Sequence, residues 1–146
     1  MAEKPSSTAY SAQNPPLYIY KVVPSPVVAP RYAFPVPIPA SHTFVLSELD
    51  AADGFLHFST AAQLPGTLNR FFTEDPKVVL LRCDYARLSA WKVVKWEPAS
   101  NRELFPHLYA QLEGENVDSF LELDKREGES TWDPALERAR QNDWLQ

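Results

Sequence analysis

The placement of proline limits this chain more than any other feature of its sequence. Six of its 14 prolines fall within residues 24–39, in the stretch VPSPVVAPRYAFPVPIPA. Proline removes a backbone donor and restricts the residue before it, so neither a helix nor a central strand is expected there. We expect residues 24–40 to form an extended insertion on the domain surface. The alternative is a PxxP-like array that engages a protein partner through an SH3-type groove.

The rest of the chain has the size of one domain. With 146 residues it can bury roughly two-thirds of its unfolded surface. We expect a single domain over residues 17–125, which contains the proline-rich insertion. Residues 1–16, rich in Ser, Pro and Ala, are expected to be a disordered lead-in, and residues 126–146 a C-terminal extension with a helix.

Charge and cysteine content exclude several classes of function. The net charge of −5, without long runs of like charge, disfavours a nucleic-acid partner. The single cysteine, Cys83, excludes an internal disulfide and a cysteine-based zinc cluster, and no HExxH-type metal motif is present. No apolar run reaches the roughly 18–20 residues of a membrane span, and the N-terminus lacks a secretory signal. We therefore expect a cytoplasmic protein without a metal site.

Hydrophobic patterning predicts an α+β domain in which strands dominate. Alternating or β-branched runs predict strands over residues 17–23, 55–59, 77–85, 91–96, 105–110 and 117–123. Thr60 and Gln63 have capping-box spacing ahead of an internal helix that places Leu64 and Leu68 on one face. Residues 47–54 and 86–90 are expected to be turns, and residues 133–145 a charged surface helix.

The segment GFLHFST, residues 54–60, predicts a strand with two different faces. Residues two apart on a strand share a face, so His57 and Ser59 point the same way as Phe55, while Leu56 and Phe58 point the other way. A polar face opposite an apolar face is typical of a cleft wall. The alternative is a core histidine bonded to a backbone carbonyl, with Ser59 acting only as a helix cap.

Two further stretches place chemically useful side chains on predicted strands. In ELFPHLYA, His107 and Tyr109 alternate and would present an imidazole and a phenol together. Glu97 ends the run WKVVKWE, where a carboxylate can serve as a general base or contact a ribose hydroxyl. The alternative for Glu97 is an ordinary solvated glutamate. Glycine-rich phosphate loops are absent from the sequence.

Together these motifs resemble a known family. GFLHFST, NRFF (69–72), WE (96–97) and FPHLY (105–109), in this order, resemble the family called domain of unknown function 952, over residues 17–123. The resemblance implies an α+β fold similar to a reduced ADP-ribosyltransferase core, with two small, mostly antiparallel sheets around a cleft. It implies a ligand such as NAD or ADP-ribose, although the family has no established activity.

The resemblance also implies a set of site residues. The catalytic candidates are His57, Glu97 and His107, and the ligand-binding candidates are Lys21, Ser59, Thr60, Asn69, Arg70 and Tyr109. Lys21 stands where the family usually has histidine. Lysine keeps a donor and a positive charge but cannot act as a neutral imidazole, so we expect it to hold a pyrophosphate.

Three functions remain open at this point. The first is an uncharacterised domain that binds NAD, ADP-ribose or a related nucleotide. The second is an enzyme of the ADP-ribosyltransferase type, in which Glu97 stabilises the developing oxocarbenium charge. The third is a protein-interaction module that uses the proline-rich segment.

Overall fold

The computed structural model of this chain describes residues 9–146. Within them, β1 (Tyr18–Pro24), β3 (Lys77–Asp84) and β6 (Ser119–Asp124) form one antiparallel sheet in the order β1-β3-β6. A second antiparallel sheet contains β2 (Leu56–His57), β5 (Leu104–Leu108) and β4 (Val94–Pro98) in the order β2-β5-β4. The α-helices are α1 (Glu48–Asp53), α2 (Leu64–Phe71), α3 (Tyr85–Trp91) and α4 (Asp133–Gln141). The predicted α+β class with two small antiparallel sheets is confirmed.

The central position of β3 in the first sheet explains why the sequence of this strand is almost continuously apolar. Val79 and Leu81 pack into a core that includes Leu56 and Leu108 of the second sheet. Val78 and Leu80, which point the opposite way, pack into a second core together with α2 and α4. A strand buried on both faces has no polar side, so its sequence shows an apolar run rather than alternation.

The internal helix begins as its capping signal predicts. The Thr60 hydroxyl accepts a hydrogen bond from the Gln63 backbone N–H at 3.3 Å, and Gln63 Oε1 accepts from the Thr60 N–H at 3.0 Å. A 3₁₀ turn (Ala61–Gln63) then leads into α2. Leu64 and Leu68 are fully buried, and Phe71 is largely exposed.

Two segments that we expected to be turns are short helices. Ser47 accepts a hydrogen bond from the Asp50 N–H at 3.0 Å at the start of α1, and Gly54 ends this helix with a left-handed φ of 83°. Asp84 caps α3 by accepting from the Arg87 N–H at 3.1 Å. The expectation was wrong because these helices are too short to show a clear amphipathic pattern, so their caps are the main local signal.

The proline-rich segment is more deeply packed than an extended surface insertion. It contains a 3₁₀ turn (Pro30–Tyr32), and the side chain of Tyr32 is buried. The ring of Phe34 lies 5.5 Å from that of Phe44 and 5.1 Å from that of Phe120. The exposed apolar side chains of this segment are Val27, Val28 and Val36. Proline therefore prevents long regular elements here but not burial of the aromatic residues between the prolines.

The backbone at the end of the proline-rich segment packs closely against the backbone of Gly114. The Gly114 N–H donates to the His42 carbonyl at 2.7 Å. A Cβ atom at Gly114 would overlap the carbonyl oxygen of Pro39. Glycine is the residue that permits this backbone contact, which anchors the proline-rich segment beside β6.

The C-terminal residues cover the outer face of the first sheet. Leu136 and Ala139 of α4 are buried in the second core, and Trp132 just before the helix has no exposed surface. The Gln146 N–H donates to the Tyr20 hydroxyl at 2.9 Å. The helix predicted at 133–145 is therefore present over residues 133–141, and its apolar side is packed rather than solvated.

At the other end, residues 1–8 of the expected lead-in lie outside the described residues. Ser11 and Asn14 form a small bridged turn. From residue 9 onward, no helix has the length and apolar character that crossing a membrane requires.

Candidate functional site

The segment Leu56–Ser59 crosses from one sheet to the other. His57 pairs with His107 of β5 in the second sheet. Ser59 bridges Tyr20 of β1 in the first sheet, through backbone hydrogen bonds of 2.8 and 2.9 Å. The strand predicted over 55–59 is thus a two-residue strand followed by a bridge to the other sheet. The faces are as predicted: Leu56 and Phe58 are in the core between the sheets.

A cleft of about 820 Å³ opens beside this crossing segment. Its walls come from β1, α1, the crossing segment, α2, and the strands and loop of the β4–β5 hairpin, and most of the surface is apolar. Of the predicted site residues, those that line the cleft are Lys21, His57, Ser59, Arg70 and His107. Residues from distant parts of the chain therefore meet here.

The other predicted residues do not line the cleft. The Thr60 hydroxyl serves the helix cap. Asn69 accepts a hydrogen bond from the Trp132 N–H at 2.8 Å and donates to Asp133 Oδ1 at 2.6 Å, so it joins α2 to the start of α4. Glu97 and Tyr109 reach the site through contacts with His107, described below.

Lys21 and His57 share one buried carboxylate, that of Asp50. Lys21 Nζ lies 2.5 Å from Asp50 Oδ2 and also donates to the His57 carbonyl at 3.1 Å. His57 Nδ1 lies 2.6 Å from Asp50 Oδ1, and the His57 backbone N–H donates to the same oxygen at 3.1 Å. Asp50 is 2% exposed. These contacts fix α1 against β1 and the crossing segment.

The ionisation of this group follows from its contacts. Burial by itself would raise the pKa of Asp50, but the hydrogen bonds from His57 and the charge of Lys21 outweigh burial and lower that pKa to about 2. Burial lowers the pKa of Lys21, and the Asp50 carboxylate opposes this shift. The Lys21 side chain is thus held by Asp50 and by the His57 carbonyl.

His107 belongs to a second group of side chains. Its Nδ1 lies 2.7 Å from Glu97 Oε1, and the Tyr109 hydroxyl donates to the same oxygen at 2.7 Å. The ring of Phe55 stacks on His107 with 4.1 Å between centroids. Burial lowers the pKa of His107, although the hydrogen bond to Glu97 opposes the change. The hydrogen bonds from His107 and Tyr109 lower the pKa of Glu97. A neutral ring that donates from Nδ1 has an unprotonated Nε2.

Sequence reasoning missed three contributors to the site. Asp50 and Asp53 of α1 both contact His57, since Asp53 Oδ2 lies 3.0 Å from His57 Nε2. The Thr67 hydroxyl shares a 2.9 Å hydrogen bond with Ser59. The signal for the aspartates was the pair of helix caps at Ser47 and Gly54, because a helix between them places residues three apart on one face.

The side chains from residue 9 onward do not form a recognisable metal-binding site. No group of three or more His, Cys, Asp or Glu side chains is arranged to hold a metal ion there. The two histidines contact carboxylates in separate groups instead.

Comparison with known proteins supports the motif resemblance. The crystal structure of protein CC0527 from Caulobacter crescentus matches with a TM-score of 0.62 and 28% identity, over 78% of this chain and 91% of that chain. The solution NMR structure of CC0527 matches with a TM-score of 0.59 and 29% identity, over 76% and 88% of the two chains. No curated protein matches this chain. The model of the family described as protein of unknown function (DUF952) matches residues 38–120, which is more than half of the chain, and the chain therefore belongs to the DUF952 family.

Proposed function

We propose that this chain binds a nucleotide-class small molecule, such as NAD, ADP-ribose or a relative of these, in the cleft. The observation that carries the proposal is the form of the cleft itself: about 820 Å³, a mostly apolar surface, and polar side chains that include Arg70, His57 and His107. Pockets for ligands of this size usually have volumes of about 300–1,000 Å³ and the same mixture of surfaces. Phe105 and Phe72 among the lining residues provide aromatic surface for a base.

Arg70 supplies the feature expected for a phosphate group. It lies in the last turn of α2, and within residues 9–146 no carboxylate lies within ion-pair distance of its guanidinium. The guanidinium sits 5.2 Å from the centroid of the Phe71 ring. An arginine without a protein partner at a cleft can bind a phosphate through two parallel hydrogen bonds. Arg70 is thus better suited to this role than Lys21, which is already paired with Asp50.

The binding proposal predicts a selective effect of Arg70. ADP-ribose should raise the melting temperature of the wild type, and Arg70→Ala should weaken its binding by about tenfold or more, because charge-assisted hydrogen bonds to phosphate are lost. The matched control is Arg87→Ala, since Arg87 is also an exposed helical arginine but lines a different part of the surface. Titration calorimetry measures the affinities of the wild type and of both variants for NAD, ADP-ribose and AMP.

Two outcomes would contradict the proposal. One is the absence of any melting shift at millimolar nucleotide, since a ligand at 100 times its dissociation constant adds about 2.7 kcal/mol to stability. The other is an equal loss of affinity in Arg70→Ala and Arg87→Ala, which would indicate a nonspecific charge effect.

A second candidate function is an enzyme of the ADP-ribosyltransferase type, consistent with the fold that the family resemblance implies. The observation that favours it is the bonding of Glu97: both His107 and Tyr109 use Oε1, so Oε2 has no hydrogen-bond partner in the described chain. In this hypothesis the ribose extends from the cleft past His107, so that Glu97 Oε2 contacts a ribose hydroxyl and stabilises positive charge at the ribose.

Release of nicotinamide from NAD separates the enzyme from the binding protein. The transferase hypothesis predicts measurable release by the wild type, and its loss in Glu97→Gln with unchanged affinity for NAD. Chromatography of the reaction mixture gives the release rate, and calorimetry gives the affinity. Binding of NAD without release would leave the binding function and remove the transferase.

A further inference from the structure

The two histidines of the cleft are cross-strand neighbours with different hydrogen bonding. Their ring centroids lie 5.2 Å apart. Both nitrogens of His57 face carboxylate oxygens, Nδ1 that of Asp50 at 2.6 Å and Nε2 that of Asp53 at 3.0 Å. His107 bonds Glu97 through Nδ1 alone, and its Nε2 has no hydrogen-bond partner within residues 9–146. Both ring nitrogens of His57 therefore contact carboxylates, whereas Nε2 of His107 is available to a ligand.

We propose that His107 is the proton acceptor of the cleft, a role that rests on the ligand site proposed above. Its Nε2 takes a proton from a hydroxyl group of the bound molecule or from a water molecule beside it. The O–H bond breaks and an N–H bond forms, while the electron pair stays on the oxygen, which becomes the nucleophile. The resulting imidazolium lies against the carboxylate of Glu97, which stays unprotonated.

Glu97 and Tyr109 are positioning residues in this scheme. A carboxylate only accepts hydrogen bonds, so Glu97 holds the proton of the neutral ring on Nδ1 and leaves the lone pair of Nε2 for the ligand. Tyr109 donates to the same carboxylate oxygen at 2.7 Å and limits its movement. The stacked ring of Phe55, 4.1 Å away, limits rotation of the imidazole.

His57 is suited to a structural role instead. Its Nδ1 is hydrogen-bonded to Asp50 Oδ1 at 2.6 Å, and its Nε2 lies at an ion-pair distance of 3.0 Å from Asp53 Oδ2. A ligand that approaches either nitrogen would have to displace Asp50 or Asp53 from this contact. We assign His57 to holding α1 against the crossing segment.

The electrostatic surroundings of His107 involve every element packed against it. Glu97 from β4 attracts the protonated ring and Asp53 of α1 does so more weakly, whereas His57 from β2 repels it. On the same side, Lys95 places its ammonium 4.6 Å from the Tyr109 ring centroid. Removal of the Glu97 charge would therefore move the titration of His107 to lower pH.

The test uses the full chain labelled with ¹⁵N and needs no ligand. Two-bond ¹H–¹⁵N spectra of the imidazoles report which nitrogen of each histidine carries a proton, and His57→Gln and His107→Gln assign the signals. We expect neutral His107 to carry its proton on Nδ1. Diethyl pyrocarbonate, mapped by mass spectrometry at neutral pH, should modify His107 about tenfold faster or more than His57, because Asp50 and Asp53 stand against the two ring nitrogens of His57 and hinder access of the reagent.

The variants test the positioning roles. Glu97→Gln should lower the pH midpoint of the His107 titration and abolish the fixed tautomer, and Tyr109→Phe should change the tautomer less. Glu122→Gln, at another partly exposed strand glutamate, should leave the His107 signals unchanged. If Glu97→Gln fails to fold, Tyr109→Phe and the wild-type spectrum still decide the matter.

The results separate this proposal from the ligand proposal. A proton on Nε2 of neutral His107, or modification of His57 as fast as that of His107, overturns the assignment of the proton acceptor even if ADP-ribose binds. Failure of every nucleotide to bind removes the proposed ligand class, whereas the nitrogen spectra report on the bonding of His107 independently of any ligand.

Discussion

Replacing Lys21 with methionine should lower the free energy of unfolding by about 3–5 kcal/mol, the usual cost of removing one partner of a buried ion pair. Lys21 and Asp50 are 9% and 2% exposed, so loss of the ammonium would leave a buried carboxylate without its counter-charge. The variant would leave Asp50 with only its hydrogen bonds to His57. Urea denaturation of both proteins measures the difference.

A surface ion pair provides the matched control. Lys77 lies 3.6 Å from Glu122, and both side chains are partly exposed, so Lys77→Met should change stability by less than about 1 kcal/mol. The double variant Lys21→Met/Asp50→Asn should recover part of the loss, because it removes the buried charge as well. An effect of Lys21→Met no larger than that of Lys77→Met would show that the pair is not energetically important.

The Asp50 carboxylate, bonded by His57 and paired with Lys21, gives the stability a pH dependence whose sign is fixed. The pKa of Asp50 is about 2 in the folded protein, below its ordinary value of 3.8. The folded protein thus binds this proton more weakly than the unfolded chain does. The resulting stability is present above about pH 4 and is lost as the pH falls from about 4 toward 2. Lys21→Met should show a smaller loss over this range, since the lysine charge no longer holds the Asp50 pKa down.

Replacing Trp132 with alanine should also cost about 3–5 kcal/mol, as large-to-small changes at buried aromatic residues do. Trp132 has no exposed surface, its indole N–H donates to the Phe72 carbonyl at 2.9 Å, and Lys125 covers the ring at 5.0 Å. The variant leaves a large cavity between α2 and α4 and an unsatisfied carbonyl. Thermal and urea unfolding followed by circular dichroism measure the loss.

Trp91 provides the control for this prediction because it is 88% exposed. Trp91→Ala should change stability by less than about 0.5 kcal/mol. If Trp132→Ala unfolds in a single transition at lower denaturant, residues 126–146 belong to the same cooperative unit as the sheets. Two separate transitions, or equal effects of the two variants, would mean that the C-terminal segment is an independent extension.

Local patterns predicted those parts of the fold that depend on neighbouring residues. The alternation in GFLHFST places Leu56 and Phe58 in the core and His57 and Ser59 at the cleft, because side-chain direction on a strand depends only on parity. The capping box of Thr60 and Gln63 likewise involves residues three apart. Such features need no knowledge of the rest of the molecule.

The electrostatics of the site could not be predicted in this way. Lys21 has the charge to bind a phosphate. Nothing in the sequence around it indicates that Asp50, 29 residues further along the chain, pairs with this charge in the folded protein. Asn69 lies in a conspicuous NRFF motif, but its amide joins Trp132 and Asp133 rather than the cleft. Arg70, the next residue, lines the cleft. Which of two adjacent polar residues faces the cleft depends on the packing of α4, far along the chain.

The number of residues in the crossing segment Leu56–Ser59 is fixed by its pairing with both sheets. Its first half is hydrogen-bonded to β5 and its end to β1, only two residues apart. Adding or removing one residue would reverse the faces, placing a histidine in the core and a leucine at the cleft. Insertions should therefore be tolerated around the exposed Val27 and Val28 but not between Leu56 and Ser59, where the residue count aligns two sheets with one cleft.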